Sequence, residues 1–415
     1  MSLFEESQTQ QSKELALSRT NIASALAIGT IALLMLGVQP ILLGALVEGH
    51  NATLKGIGAI AMSEVVALGV GVALSDALLP LSRLRSIGIT AALFTAMLDA
   101  ATVLTIGDVH LTVVRSAAGL GEGVLLWLTT CAIVRSSTPE RITGIFLVVQ
   151  TLAQAALAAT YATLVVPRTG WQGGYLVLAV LTLVPCVAVA WLPPSVAPLR
   201  AKTDSRFRWS LATALPPVIV FLQMAAIGAL WAYLEPLGKR AGFDPEGAQA
   251  VIAGVLVMQV LGGTSASFAV RRIGAVRVLT TAAILLGIIT SAIHLLPFGA
   301  SLPFSLLCAT YGFAWLFLMP FQVNLAFRVD PAGGVAMLIP AMQLLGTALG
   351  PFSASLLIRD GDVGWVPLVS AGFALTSATL LVLGRSRFRL NPDAMSAILA
   401  VGPGGSSPAA ESAGR

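Results

Sequence analysis

The chain has 415 residues, of which 56% are hydrophobic and only 10% are charged, and its mean hydropathy is +0.88. A soluble globular domain has about 25% charged residues. The composition therefore excludes an ordinary water-soluble surface, and lipid is expected to cover most of the protein.

Apolar runs of about 20 residues recur along the chain between short polar breaks, and this is the length of one membrane-spanning helix. In lipid each run must be helical, because every backbone amide needs an internal hydrogen-bond partner. The sequence predicts an all-α polytopic membrane protein with twelve transmembrane helices. The predicted spans are 22–47, 54–78, 87–106, 110–134, 142–165, 172–192, 211–237, 247–269, 275–297, 302–327, 333–358 and 364–384.

The longest internal polar break, PPSVAPLRAKTDSRFRWS, divides these spans into two sets of six. Its prolines end the sixth span, and its basic residues favour the cytoplasm. The tail ending GPGGSSPAAESAGR has the composition of a disordered segment. The predicted organisation is a cytoplasmic tail at 1–21, a six-helix bundle at 22–192, a cytoplasmic loop at 193–210, a second six-helix bundle at 211–385 and a disordered cytoplasmic tail at 386–415.

The distribution of Lys and Arg predicts the orientation in the membrane. With the N-terminus in the cytoplasm, 18 of the 24 basic residues fall on the cytoplasmic side, five fall on the other side and one, Arg115, lies within a span. Basic residues accumulate on the cytoplasmic side of membrane proteins. We therefore expect a multi-pass protein of the inner (plasma) membrane with both termini inside. The same loops account for the net charge of +5, so the charge does not indicate a nucleic-acid partner.

The two halves of the chain resemble each other at an offset near 190 residues. A Gly-Trp pair opens span six at Gly170 and span twelve at Gly364, and Gln154 in span five corresponds to Gln343 in span eleven. These matches indicate duplication of a six-helix unit, which makes the two bundles pseudo-symmetric. Folds built in this way commonly hold a solute at the interface between the repeats.

The most specific motif is LTVVRSAAGLGEG at 111–123, in which Arg115 is followed by Gly119, Gly121 and Gly123. It resembles the fourth-helix signature of the major facilitator superfamily of secondary transporters, and the resemblance covers about residues 20 to 385. The resemblance implies two six-helix bundles that alternate access to a solute site. It also implies a role in proton coupling for Arg115, because the arginine of this signature has that association in the family.

Two further motifs of that family are altered in this chain. The loop after span two, GVALSDALLPLSRLR, keeps an aspartate and arginines in changed spacing, whereas the corresponding loop of the second half is more faithful. The Gly-Pro motif expected in the fifth helix of antiporters is missing, which favours uptake over export. We predict cytoplasmic gate residues in the two loops at Asp76, Arg83, Arg85, Arg271, Arg272 and Arg277.

Four charged residues lie at membrane depth in the first half: Glu64, Asp99, Arg115 and Glu122. Each costs about 2.5–3.5 kcal/mol at the centre of a helix that faces lipid, so they should face protein and pair. Asp99 matches the depth of Arg115, and Glu64 could meet either Arg115 or Glu122. Arg115 and Glu122 are seven residues apart, about 10 Å along a helix, so no ion pair is expected between them. The set predicts either a proton-coupling site or a static charge network.

Neutral polar and aromatic residues occupy the spans of the second half, where no equivalent charges occur. Each residue alone is explained by an interhelical hydrogen bond or by packing, but together they suit solute binding. With residues of spans one and five they form the predicted solute cavity: Gln39, Gln154, Gln223, Trp231, Gln259, Trp315, Gln322, Asn324 and Gln343. The Gln39–Pro40 step predicts either a local break or a simple kink in span one.

These observations predict a secondary transporter that moves a small organic solute by alternating access, driven by protons. The expected partners are the solute, protons and the bilayer, with no cofactor, no metal and a monomeric chain. A proton-coupled exporter and an uncoupled facilitator of the same fold remain alternatives. A receptor of this fold is a further alternative, whereas an intramembrane enzyme is not expected. The enzyme would need a nucleophile–base pair or a metal cluster at membrane depth, and the three histidines lie at predicted helix ends.

Overall fold

The computed structural model describes residues 17–196, 210–270, 272–330, 334–359 and 361–388, apart from the Glu140 side chain, and its long regular elements are all helices. Most of the predicted terminal tails, most of the 193–210 loop and Arg271 lie outside the described residues. Three of the described helices begin with a side-chain cap. Ser18 and Ser210 accept hydrogen bonds from backbone N–H groups of the first turn, and so does Asp244. Such caps satisfy N–H groups that have no partner within the helix.

Twelve long helices follow one another along the described chain. We label them α1 (Arg19–Glu48), α2 (Gly56–Leu78), α3 (Leu84–Thr102), α4 (Asp108–Val134), α5 (Pro139–Thr160), α6 (Val166–Thr182), α7 (Leu211–Trp231), α8 (Pro245–Ala269), α9 (Ala275–Leu295), α10 (Ser301–Val329), α11 (Gly334–Ser355) and α12 (Val366–Leu383). A short helix, Leu234–Arg240, follows α7, and Val184–Ala188 extends α6. Helices α1–α6 form the first lobe and α7–α12 the second lobe.

Eleven continuous helical stretches within the described residues are long and apolar enough to cross a membrane. One of them, Arg141–Trp191, has 51 residues, which is more than twice the length that one crossing needs. It contains both the fifth and the sixth predicted span. The chain turns between them at Gly170, whose φ of 64° is readily adopted only by glycine. The Gly-Trp pair identified in the sequence is thus the turn between the fifth and sixth spans, and it lies within the first residues of α6.

Helix α1 is divided at Leu33, where the backbone leaves helical geometry, rather than at the Gln39–Pro40 step. Pro40 lies inside the second segment, Leu34–Glu48, without breaking it. Because proline has no N–H group, the carbonyl of Leu36 one turn earlier loses its normal helical partner. That carbonyl is consequently available to another donor.

Glycines allow the helices of each lobe to approach closely. A Cβ atom at Gly346 or Gly350 of α11 would lie within 3 Å of backbone atoms of α7. The same holds for Gly262 of α8 against α10, and for Gly312 of α10 against α8. Gly346 and Gly350 therefore permit the close approach of α11 to α7. Between the lobes, α2 packs against α11 and α5 packs against α8.

Large apolar side chains cover much of the molecular surface. Leu104, Val180, Phe298 and Leu383, which lie on four different parts of the chain, are each more than 60% exposed. In water such a surface would aggregate, whereas lipid covers it at no cost. Together with the length and hydropathy of the helices, this surface makes the chain a multi-pass membrane protein.

Candidate functional site

Three glycines of α4 position the charged cluster of the first lobe. Gly119 and Gly123 face α2, and a Cβ atom at either would lie within 3 Å of an α2 backbone oxygen; Gly121 faces Thr95 of α3. Helix α4 therefore lies against both neighbours at close range. The motif that resembles the fourth-helix signature thus has a physical reason: without side chains at these glycines, carboxylates on α2 and α3 reach Arg115.

Arg115 lies at the centre of the cluster and contacts all three carboxylates predicted at membrane depth. Its two terminal nitrogens bind Glu64 of α2 and Asp99 of α3, the latter at 2.6 Å. Glu122 lies about two helical turns farther along the same face of α4. Its Oε1 atom is 3.6 Å from Nη2 of Arg115. All four residues are buried, with 0–3% of their surface exposed. None of these carboxylates faces the acyl chains, so the structure assembles one buried cation with three acids.

The contact between Arg115 and Glu122 corrects the expectation that two residues seven positions apart on one helix would not pair. The Cα–Cβ bonds of a helix tilt toward its N-terminus, which inclines Glu122 back toward Arg115. The arginine side chain is long enough to cover the remaining distance. The two residues share a helix face, as the sequence predicted, but the arginine side chain is long enough to bring them into contact.

Residues that the sequence reasoning did not select complete the cluster. Thr182 of α6 donates a hydrogen bond to Asp99 at 3.0 Å, and Thr102 accepts a longer one from Arg115 at 3.4 Å. The ring of Tyr175, also on α6, lies under the Arg115 guanidinium at 5.2 Å. An isolated threonine or tyrosine in an apolar span carries no signal of such a role. Only the packing of α6 against α3 reveals it.

Three polar atoms of the cluster are buried without a hydrogen-bond partner among the described residues: Oε2 of Glu122, Nε of Arg115 and the hydroxyl oxygen of Tyr175. Both oxygens of Glu64, by contrast, have partners, because Gln39 of α1 donates to Oε2 at 3.3 Å while Arg115 binds Oε1. An unpartnered buried carboxylate oxygen is costly. Among the three carboxylates of the cluster, Glu122 is the one with a buried oxygen that has no hydrogen-bond partner among the described residues.

Three glutamines form a hydrogen-bonded chain in the second lobe. Gln343 of α11 donates to Gln322 of α10 at 2.8 Å, and Gln322 donates to Gln223 of α7 at 3.0 Å. Gln223 in turn donates to the backbone carbonyl of Leu279 at 3.4 Å. Gln223 and Gln322 are buried, whereas Gln343 is partly exposed. The structure brings these three predicted cavity residues together, with Gln343 at the accessible end.

Trp231 links the two lobes. Its indole N–H donates at 3.0 Å to the Leu36 carbonyl of α1, which is the carbonyl that Pro40 leaves without a helical partner. Its ring packs edge-on against Trp315 of α10 at 5.3 Å. Because Gln39, three residues after Leu36, binds Glu64, one turn of α1 connects Trp231 to the charged cluster.

The remaining predicted cavity residues have other neighbours. Gln154 donates to the Leu33 carbonyl at the break in α1, at 2.6 Å. Asn324 accepts a hydrogen bond from Arg328 near the end of α10, at 3.2 Å. Gln259 of α8 is buried, and its amide nitrogen has no hydrogen-bond partner within the described part of the chain. The structure thus does not join these three residues to the glutamine chain.

The lobes meet at the end of the molecule that holds Glu48, which we call the opposite face. Here Lys239 of the second lobe binds Glu48 of the first at 2.7 Å and Glu235 of its own helix at 2.9 Å. Gly44 of α1 leaves room for the carboxylate of Glu235, which is buried between the lobes. The two lobes are therefore in close contact at this face.

The other end carries the arginines of the loops, and we call it the arginine-rich face. A cavity of about 510 Å³ lies between α5 of the first lobe and α8 and α10 of the second. Its walls are mainly apolar, and Arg141 lies at the end nearest the arginine-rich face. The lobes are thus joined by an ion pair at the opposite face, where a cavity of about 380 Å³ also lies between them. A larger cavity separates them toward the arginine-rich face.

The predicted gate residues of the first lobe have partners of their own. Asp76 accepts a hydrogen bond from the indole of Trp127 at 3.2 Å. Arg85 donates to the Leu192 carbonyl at 2.8 Å, and Arg83 is exposed. Both hydrogen bonds lie within the first lobe.

The predicted gate residues of the second lobe lie around the start of α9. Arg272 and Arg277 are exposed, and Arg271 lies outside the described residues. Arg277 lines a cavity of the second lobe, so its surroundings differ from those of Arg83.

Among the solved structures that are similar to this chain are two of the nucleoside transporter NupG. One, of a mutant form, has a TM-score of 0.67 at 15% sequence identity and covers 87% of this chain and 99% of that one. The second has a TM-score of 0.65 at 16% identity and covers 90% and 100% respectively. No protein-family model matches the sequence, and no curated protein matches it.

The chain has the major facilitator fold. Structural similarity at 15–16% sequence identity is evidence for the fold alone. The two comparisons cover 87% and 90% of this chain, so they include both lobes. The predicted fold class, an all-helical membrane protein with twelve spans in two six-helix bundles, is confirmed.

Proposed function

We propose that this protein is a secondary transporter that moves a small organic solute by alternating access and couples the movement to protons. The fold supports the transport of a small solute, since both similar structures are transporters. The observation that carries the coupling is the buried cluster, in which Arg115 faces Glu64, Asp99 and Glu122. One cation cannot compensate three carboxylates, so a proton on one acid lowers the cost of burial.

Glu122 is the proposed proton carrier. It is the carboxylate farthest from Arg115, at 3.6 Å, and its Oε2 atom is without a hydrogen-bond partner among the described residues. Glu64 is held by Arg115 and by Gln39 of α1. If α1 shifts when the lobes move, the contact between Gln39 and Glu64 changes. The positive charge of Arg115 is then shared differently between Glu64 and Glu122. Coupling then follows from ordinary electrostatics.

The solute is proposed to bind between the lobes, near Trp231 and the exposed end of the glutamine chain. Amide groups donate and accept hydrogen bonds at the same time, and indole rings offer flat apolar surfaces. This combination suits a solute with a planar, hydrogen-bonding ring. Because the solved neighbours are nucleoside transporters, nucleosides are the first candidates to test.

The proposed orientation places the arginine-rich face in the cytoplasm, in accordance with the accumulation of basic residues on that side. In this orientation the larger cavity between the lobes lies toward the cytoplasm, and the Lys239–Glu48 ion pair joins the lobes at the opposite face. The missing antiporter motif supports uptake with protons rather than export. An uncoupled facilitator is the second candidate, because most polar atoms of the cluster already have partners, as a static network requires.

Transport into proteoliposomes tests the proposal. We expect one or more labelled solutes of a panel headed by nucleosides to accumulate when the outside is made acidic, and to equilibrate without accumulation when no gradient is imposed. Equal uptake under both conditions would favour the facilitator and refute coupling.

The variant Glu122→Gln separates coupling from transport. We expect it to lose accumulation driven by the pH gradient while it keeps the exchange of labelled for unlabelled solute, which needs no net proton movement. Glu246→Gln is the matched control, because Glu246 is an exposed carboxylate in the first turn of α8, remote from the cluster. Gradient-driven accumulation by Glu122→Gln at the wild-type level would exclude Glu122 as the carrier.

A further inference from the structure

A second cavity, of about 570 Å³, lies at the arginine-rich face of the second lobe, apart from the space between the lobes. Three arginines line it: Arg277 in the first turn of α9, Arg328 in the last turn of α10, and Arg385 just after α12. We call it the arginine cavity. Arg277 is one of the predicted gate residues, whereas Arg328 and Arg385 have no role in the proposed transport mechanism.

The arginine cavity has no acid among its lining residues. Within the described ranges of the chain, no ion pair involves any of the three arginines, although Arg328 donates one hydrogen bond to Asn324. Gly274 also lines the cavity and precedes α9 without a side-chain cap, so the positive end of a 21-residue helix borders the same space. Three guanidinium groups and a helix N-terminus around one cavity attract an anion, and phosphate oxygens match the guanidinium geometry.

The surroundings of the arginine cavity connect it to the apolar surface of the lobe. Val382 of α12 lines the cavity and is 57% exposed, and the neighbouring Leu383 is 73% exposed. Farther along the same helices, Ile288 of α9 and Leu375 of α12 are also exposed apolar residues. The three arginines lie at one end of their helices, and Ile288 and Leu375 lie farther along α9 and α12.

We propose that the arginine cavity binds the headgroup of an anionic phospholipid, with the acyl chains along α9 and α12. The arginines contact the phosphate, and Val382 lies where the headgroup meets the chains. A soluble phosphate would use the charges but gain nothing from the apolar surface. A basic pocket between transmembrane helices is a site of this kind.

Native mass spectrometry of the full-length protein in detergent tests the proposal, with titration by dioleoyl phosphatidylglycerol or by dioleoyl phosphatidylcholine. We expect the wild type to bind the anionic lipid at least tenfold more tightly. Each arginine near an anionic headgroup strengthens binding about fivefold, so the triple variant R277Q/R328Q/R385Q should lose about a hundredfold. The matched control R19Q/R83Q/R272Q removes the same charge from exposed arginines of the same face outside the cavity, and it should bind as the wild type does.

Three results would overturn the proposal. The first is equal affinity of the wild type for the two lipids, and the second is equal loss of binding in the triple variant and the control. The third is displacement of the lipid by inorganic phosphate at the same concentration, which would identify a soluble anion as the occupant. The single variants R277Q and R385Q, each expected to weaken binding about fivefold, keep the test decisive if the triple variant does not fold.

Discussion

Removal of Arg115 should destabilise the protein more than any other single change in the cluster. In Arg115→Gln, Glu64 and Asp99 lose their cation, and Glu122 loses the charge 3.6 Å away. All three carboxylates remain buried, with at most 3% of their surface exposed. Breaking a buried ion pair by deletion of one partner costs about 3–5 kcal/mol. That loss corresponds to a factor of about 100 to several thousand in the unfolding equilibrium.

The assay is equilibrium unfolding in mixed detergent micelles, followed by circular dichroism. Arg115→Lys should be intermediate, because a single ammonium group cannot bind Glu64 and Asp99 with the two-pronged geometry of a guanidinium. The double variant R115Q/E64Q should recover part of the loss, since it also removes a carboxylate that the first change leaves without its cation. Arg83→Gln, at an exposed arginine, is the control and should change stability by less than about 0.5 kcal/mol.

A free energy of unfolding for Arg115→Gln within about 1 kcal/mol of the wild-type value would refute this prediction. The cluster would then not be a dry network held together by one cation. Equal destabilisation by Arg115→Gln and Arg83→Gln would refute it as well, because the effect would then come from net charge rather than from burial.

Two further predictions follow from the packing. Gly119→Val should abolish the yield of monodisperse protein in size-exclusion chromatography, because its Cβ would lie within 3 Å of the Glu64 carbonyl. The control Gly254→Val should keep that yield, because its Cβ meets nothing within 4 Å. Equal yields of the two variants would show that Gly119 is not needed for close packing of α4 on α2. Trp231→Phe removes the donor to the Leu36 carbonyl. An unsatisfied buried carbonyl costs about 1–3 kcal/mol. The equilibrium between lobes joined and lobes separated at the opposite face should therefore shift toward separation by a factor of about 5 to 150. Distances between spin labels on α1 and α7 measure this shift, and an unchanged distribution would show that the bond does not hold the lobes together.

The number and type of helices could be predicted from the sequence because lipid allows few solutions. A span needs about 20 apolar residues and must satisfy its own backbone, so the length of each run determines the element. The role of Gly119 and Gly123 in close packing was also predictable, since small residues four apart lie on one helix face. The burial of the four charged residues followed from the cost of exposing them to lipid.

What the sequence by itself determined is therefore the set of spans, the division into two lobes and the charges that had to be buried. Tertiary structure alone decided that Arg115 meets Glu64, Asp99 and Glu122 together, that Tyr175 and Thr182 join them, and that the break in α1 lies at Leu33. The physical reason is the range of the forces. The hydrophobic pattern of a helix depends only on its own residues, whereas a salt bridge or an aromatic contact depends on how closely separate helices pack.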